Sequence, residues 1–471
     1  MLRLKSIPIV CIACLLSAPV CAQVQTTRKT EVYKRIKAYL DSVPAIDTHD
    51  HLFPFDHLSG KTGQLAGRGV DLWALWQHSY CSWINPIARR ESGQPFDEWW
   101  SAAKNDFDNA RATTFYRFLL PAFADLYGIN FDRITDHQAR KLDRRINDNY
   151  RDQRWVYEVV TERANIELML IDPFWDAIGM KNEYRFTVPV LNVGMLIHGH
   201  HRSRVKQPGN NLYAFAEKNG LEIKTLDDYL TALDMLMSRA KEKGIVCLKS
   251  AIAYLRTLQF AKIPRDRAEK AFGKRTSELS KRQIKDFEDF IVWRLVELSA
   301  KHDLPFQIHT GHARIQSSNP MLLVDMIEAN KNTKFILFHG GYPWVDETGA
   351  IVQWSFLKKY NNVWIDSVWL PTISYSMGKQ AFHYWLEMMP SNRIMWGADC
   401  LHVEGIYGAT EITRRCLAEV LAEKVMHGDL LEEHALRIGK QILRDNALEL
   451  FPGLKHRLWK HKIDKLTPAE P

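Results

Sequence analysis

The chain has 471 residues, 46% hydrophobic and 25% charged. That composition excludes disordered, collagen-like and disulfide-scaffold proteins. The formal net charge of +8 is mild for this length and requires no nucleic-acid partner.

Residues 1–22 read as a secretory signal peptide. Arg3 and Lys5 give a basic start, an apolar run extends from Ile7 to Leu16, and Val20-Cys21-Ala22 resembles a small-x-small cleavage site. The run is short for a membrane span, and no later stretch reaches the roughly 18 apolar residues that a span needs. The mature chain, 23–471, is therefore expected to be exported, periplasmic or secreted, with no integral membrane segment. Three of the seven cysteines (Cys11, Cys14 and Cys21) leave with the signal. The other four, Cys81, Cys247, Cys400 and Cys416, are too irregularly spaced for a disulfide framework and read as buried thiols, their pairing left open.

A helical lead-in over Thr30–Ser42 precedes eight short β-rich segments. These are Ala45–His51, Ile166–Ile171, Val188–Asn192, Ile245–Lys249, Pro305–His309, Lys334–His339, Val363–Asp366 and Arg393–Asp399. Most are apolar on both faces, as strands covered by helices should be. Helical patterns such as Leu226–Lys243, Lys281–His302 and Pro320–Asn330 separate them. The alternation predicts an α/β fold, a (β/α)8 TIM barrel, with a doubly wound open sheet as the alternative. Between the first two strands, residues 52–165 are rich in Trp, Phe and charge and read as a large helical insertion. It would sit at the C-terminal mouth of the barrel, able to roof a site, with most of its aromatics forming a small core of their own. The basic tail after Leu454 reads as a surface helix and a frayed end.

Strand ends carry the chemistry. His49 and His51 are two apart on the first strand, so alternation points both to one side. Ile46 is assigned to the other face, leaving the histidines toward the barrel interior. Two imidazoles so placed can converge on one ion. Lys249 ends strand 4, where an interior amine is costly unless paired or modified. It is read as a salt-bridge partner, as a substrate-binding cation, or as a carbamate able to bridge two metals. His309, His339 and Asp399 are placed at the last inward positions of strands 5, 6 and 8. Each alone could be an ordinary hydrogen-bonding or capping residue. Together, four His, one Lys and one Asp at one end of five strands form a ring of N and O ligands. His198, His200 and His201 after strand 3 form a further possible ligand group, or a solvated polar loop.

This pattern resembles the amidohydrolase superfamily in its amidohydrolase-related branch. The segment Leu248-Lys249-Ser250 through Tyr254 is similar to that of the nodulin/FluG-like amidohydrolases. So are His309-Thr310-Gly311, His339-Gly340-Gly341-Tyr342-Pro343-Trp344, Asn362–Asp366, and Gly397-Ala398-Asp399 with Glu404. Uronate isomerases are similar in having a helical insertion after strand 1, though their metal site lacks this Lys. The resemblance implies a first metal on His49, His51 and Asp399. It implies a second on His309 and His339, bridged by a carboxylated Lys249. With an unmodified Lys249 the site would hold a single metal. Zn2+ suits the donors, and Mn2+, Fe2+ or Ni2+ would also fit.

The implied function is a metal-dependent hydrolase that activates water to cleave an amide, ester or lactone, with Asp399 as the catalytic proton carrier. A non-hydrolytic decarboxylase or uronate-isomerase-like reaction is the alternative, and a catalytically idle binding protein a third. Tyr254, Arg256, Arg314, His312, Trp344 and Glu404 follow the ligand-bearing strand ends and are candidates for contact with a small-molecule substrate. A homo-oligomer is compatible with the sequence. A classical serine hydrolase fits poorly, since no G-x-S-x-G occurs. Gly60-Lys61-Thr62 is no phosphate loop, because Phe55 stands where its first Gly belongs.

Overall fold

The computed structural model describes residues 26–451 and 453–458. The expected signal peptide lies outside the described residues, as does most of the basic tail, of which 454–458 are helical. Among the described residues, no helix is long and apolar enough to cross a membrane.

Eight parallel strands form the barrel. They are β1 (Ala45–Asp50), β2 (Ile166–Ile171), β3 (two short ladders, Thr187–Pro189 and Leu191–Asn192), β4 (Leu248–Ser250), β5 (Phe306–Ile308), β6 (Phe335–Leu337), β7 (Val363–Asp366) and β8 (Ile394–Met395). Neighbours pair in chain order. The first ladder of β3 pairs with β2 and the second with β4. Backbone bonds beyond the β8 ladder join the last strand to the first: Thr48 N–H to Trp396 O at 3.2 Å, Asp399 N–H to His49 O at 3.0 Å, and His51 N–H to Cys400 O at 3.0 Å. Gly397 permits this approach, since a Cβ there would lie 2.9 Å from Asp47 Oδ1 and from the His49 nitrogen.

The helices start where the sequence supplies caps. Thr30 accepts from Tyr33 N–H at the head of Glu31–Ser42, and Ser280 forms a capping box with Gln283 at the head of Lys281–His302. Two apolar layers result. The larger lies between the strands and the surrounding helices and continues into the insertion. The smaller fills the barrel, with Ile46, Leu168, Leu170, Val188, Cys247, Ile336 and Met395, and is closed below by Leu448, Leu450, Phe451 and Leu454. Cys81, Cys247, Cys400 and Cys416 are all free and buried.

Ile46 belongs to this inner cluster, which corrects the face assigned to it from the sequence. Regular alternation would then turn His49 outward. Instead the β1–β2 pairing is interrupted between Asp47 and Asp50, and that irregularity brings His49 inward.

Residues 52–165 contain α-helical and turn segments and no strand. Trp76 stacks on Tyr116 and packs against Phe107, Phe123 and Phe131, but these aromatics are continuous with the larger apolar layer around the barrel, so the insertion does not enclose a separate core.

Candidate metal centre

At the C-terminal ends of the strands six polar side chains meet. His49 Nε2 and His51 Nε2 stand 3.8 and 3.4 Å from Asp399 Oδ1. Lys249 Nζ is 3.1 Å from His49 Nε2. His339 Nε2 is 2.8 Å from His309 Nδ1, and His339 Nδ1 is 3.8 Å from Asp399 Oδ2. All six residues are buried except His51, which is partly open to the cavity above.

The donor set fits a divalent cation. Two ligands about 2.1 Å from a tetrahedral ion lie roughly 3.4 Å apart, and His49, His51 and Asp399 offer three atoms all within 4.8 Å of one another. Burial holds the His49, His309 and His339 rings well below the usual imidazole value, with Lys249 adding to the effect. They are therefore neutral, the form that binds metal. Burial also lowers the Lys249 amine, against the pull of Asp172, Asp399 and Asp366, and raises the Asp399 carboxyl, against His51 and Lys249. A bound cation would draw Asp399 back to its ionised state.

Special backbone geometry aims these groups. Asp399 has φ 57°, His339 φ 58°, Trp369 φ 65° and Tyr80 φ 65°, all left-handed values that non-glycine residues rarely adopt. His339 follows Phe338, which already faces the barrel interior beneath Lys249, its ring 4.1 Å from Nζ. The left-handed turn therefore brings His339 into the cluster, which corrects its assignment to a regular inward strand position.

Behind the ligands lies a second layer of carboxylates. Asp47 Oδ1 accepts from His49 N–H at 3.0 Å and Ala398 N–H at 3.1 Å, tying β1 to the end of β8. Burial pushes Asp47 up to about 8 and Asp50 well above its ordinary value, so these neighbours do not both ionise. Asp366 accepts from Thr48 Oγ1 and Val368 N–H, and burial pushes it up to about 7.

A cavity of about 390 Å³ opens above the cluster. Tyr254 lines it, as expected from the sequence, with its ring 4.5 Å from that of His309. Five other expected substrate contacts, His312 among them, do not line it. Arg256 is held by Glu288 at 2.9 Å and by Asp289. Arg314 is exposed and donates to Leu255 O. Trp344 precedes the helix Val345–Leu357 and uses its backbone carbonyl to accept from Thr348 Oγ1. Glu404 is fully buried and accepts from Tyr127 and Tyr150, both at 2.6 Å. In each case a nearer partner or helix geometry commits the group elsewhere. His312 packs on Trp369 and lines a separate, larger cavity with Arg117 and Tyr375. The HGHH segment is split between core and surface, with His201 partly exposed and capping the turn Arg202–Arg204. His198 is buried at 2.6 Å from Glu288 and His200 is buried as well.

Sequence reasoning missed other walls. Asp172 directly follows β2 and accepts both contacts of Asn192 Nδ2 at 3.0 Å, while its carbonyl lies 3.0 Å from His51 Nδ1. The strand-end rule that singled out Lys249 applies equally to Asp172 and Asn192 and could have found them. Tyr80 comes from the insertion, and its hydroxyl donates to the Asp399 carbonyl at 2.6 Å. Nothing in its local sequence marks it, because the contact spans 319 positions.

Comparison with known proteins agrees with this architecture. Residues 259–453 match the family model described as amidohydrolase. A stretch of 153 residues is 29% identical to the protein FluG of Emericella nidulans, covering 31% of this chain and only 17% of FluG. The fold is similar to uronate isomerase from Thermotoga maritima, with a TM-score of 0.69 and 17% identity over 89% of this chain and 97% of that one. It is similar also to glucuronate isomerase from Caulobacter crescentus, with a TM-score of 0.67 and 14% identity over 91% and 95%. Over residues 259–453 the chain matches the amidohydrolase family model, and over most of its length it shares the barrel fold of these structures.

Proposed function

We propose that the protein is a metal-dependent hydrolase, acting on an amide, ester or lactone. The observation that carries this reading is the convergence of His49, His51, Lys249, His309 and His339 on the carboxylate side of Asp399. His49, His51 and Asp399 would hold one divalent ion, most suitably Zn2+, and Lys249, His309 and His339 a second. When bound, the metal lowers the pKa of water and polarises the scissile carbonyl. Asp399 is placed to accept the proton of the attacking water and return it to the leaving group. Its orientation is held by Tyr80 through the backbone carbonyl and by the β1–β8 bonds.

Burial shifts Lys249 toward the neutral amine, which can add CO2 with loss of one proton to give a carbamate. That carboxylate would join the two sites, and an unmodified Lys249 would accompany a single metal. Export to the periplasm or medium belongs to the same reading, on the strength of the basic and apolar start of the sequence.

A second reading, sugar-acid isomerisation, draws on the likeness to the two isomerase barrels. Metal analysis of the purified mature protein, combined with a screen of amides, esters, lactones and uronates, separates the two. Retained divalent ions and release of a carboxylic acid are the expected results. Interconversion of a uronate without any hydrolysis would overturn the proposal, and so would chelator-insensitive turnover.

A further inference from the structure

The cavity has a polar floor and an aromatic upper wall. The floor is the ligand cluster with Asp172 and Asn192. The upper wall is Tyr80, Trp83, Phe174, Tyr254, Trp369 and Leu401. Tyr80, Trp83 and Trp369 pack on one another, with centroids 4.8, 4.6 and 6.1 Å apart. Phe174 stands edge-on to His51 at 5.2 Å, and Tyr254 lies against His309.

Trp83, Phe174 and Tyr254 are 59, 48 and 42% exposed. Among the described residues, the other exposed aromatics are Trp354 and Tyr384, so these side chains concentrate at the mouth of one cavity. A cluster of wet aromatic faces around a polar floor marks a surface that a ligand covers.

Polar recognition is scarce above that floor. Asp172 is occupied by Asn192, and the cationic Arg256 and Arg314 are committed elsewhere. Among the described residues Lys249 is the one Lys or Arg lining the cavity, and it belongs to the ligand cluster. A polyhydroxylated acid would lose water from each hydroxyl without gaining a partner. A flat apolar ring would meet aromatic faces and edges throughout.

Resting on the reading of the six-residue cluster as a catalytic metal centre, we propose that the substrate carries an aromatic or similarly flat apolar group beside its scissile carbonyl, and that Trp83 and Phe174 select for it. Hydroxamates test this directly, because they bind metal and undergo none of the proposed chemistry. Titration calorimetry on the metal-loaded protein would compare benzohydroxamate, acetohydroxamate and gluconohydroxamate. Benzohydroxamate should bind about tenfold more tightly than either of the others. Trp83→Ala and Phe174→Ala should each reduce that preference by about three- to tenfold, with metal content and melting temperature unchanged since both side chains are exposed.

Equal affinities, or tighter binding of gluconohydroxamate, would overturn the aromatic preference and leave the hydrolase reading standing. An aromatic preference that survives both substitutions would overturn the roles of Trp83 and Phe174. A confirmed preference with no hydrolysis of any aryl amide, ester or lactone would support the subsite and overturn the hydrolase reading.

Discussion

Asp399 is buried, sits in a left-handed backbone conformation, and has three imidazoles within 3.4–3.8 Å. Its neighbour Tyr80 donates to its carbonyl at 2.6 Å and lies 3.5 Å from Oδ1. Asp399→Asn keeps the shape and removes the proton acceptor, so kcat should fall by about 10²–10⁴-fold with little change in melting temperature. Tyr80→Phe removes only the hydroxyl that fixes the backbone, so it should lower kcat about tenfold through misplacement of the carboxylate. Steady-state kinetics with a thermal melt on each variant checks both. Near-wild-type kcat in Asp399→Asn would remove it as proton carrier, and an effect of Tyr80→Phe confined to KM would make that hydroxyl a substrate contact. Tyr80 could not be read from sequence, since a partner more than three hundred positions away leaves no local trace. Glu404 was misread for the opposite reason. It stands beside the ligand-bearing end of the chain, and proximity in sequence does not reveal that two phenols already occupy its oxygens.

Strands differ in how plainly they announce their inward residues. Lys249 on β4 shares its inward face with Cys247 just before the strand, and Gln307 on β5 shares its face with His309 just beyond it, with Phe306 and Ile308 facing the helices. Period-two reasoning therefore sufficed for Lys249 and His309. His49, His339 and Asp399 are different, because each comes inward through an interrupted ladder or a left-handed turn. Their residue types and positions near strand ends were legible, but the geometry that delivers them was not. The seam between β1 and β8 depends on such a departure. A Cβ on Gly397 would meet Asp47 Oδ1, the His49 nitrogen and Val368 Cγ2, all at 2.9 Å, and two of those atoms belong to the ligand-bearing strand and its carboxylate support. Gly397→Ala should therefore destabilise the protein by about 1–3 kcal/mol and also lower its metal content. Thermal denaturation and metal analysis on the same preparation measure the two effects. A variant with normal stability and full metal would show that the seam yields without disturbing the ligands.

The whole molecule couples a barrel that holds the ligands to an insertion that supplies part of the cavity wall. Glu404, at the start of the helix Val403–Met426, is the clearest tie between them. Both carboxylate oxygens accept from insertion phenols, Tyr127 and Tyr150, and Tyr150 also accepts from Val403 N–H at 3.1 Å. Beside it, His402 Nε2 reaches the Leu75 carbonyl of the insertion at 3.2 Å. Burial alone would raise the Glu404 carboxyl, but His402 and the two phenols together bring it below its ordinary value. Removing the carboxylate leaves two buried hydroxyls without their acceptor, so Glu404→Ala should cost roughly 2–4 kcal/mol, and Glu404→Gln less. The loss should appear first in the insertion, as faster proteolysis within residues 52–165 while the barrel stays intact. The pH dependence has a definite sign. Because the folded-state value lies below the unfolded one, unfolding takes up a proton in the interval between them. The stabilisation from Glu404 is complete above the ordinary carboxylate value of 4.5 and fades as pH falls through the folded-state value. The stability gap between wild type and Glu404→Gln should therefore be widest near neutral pH and narrow in acid. Denaturant titrations of both proteins across that range measure it. A gap that widens on acidification would mean that Glu404 is protonated in the fold and that the tie rests on neutral hydrogen bonds.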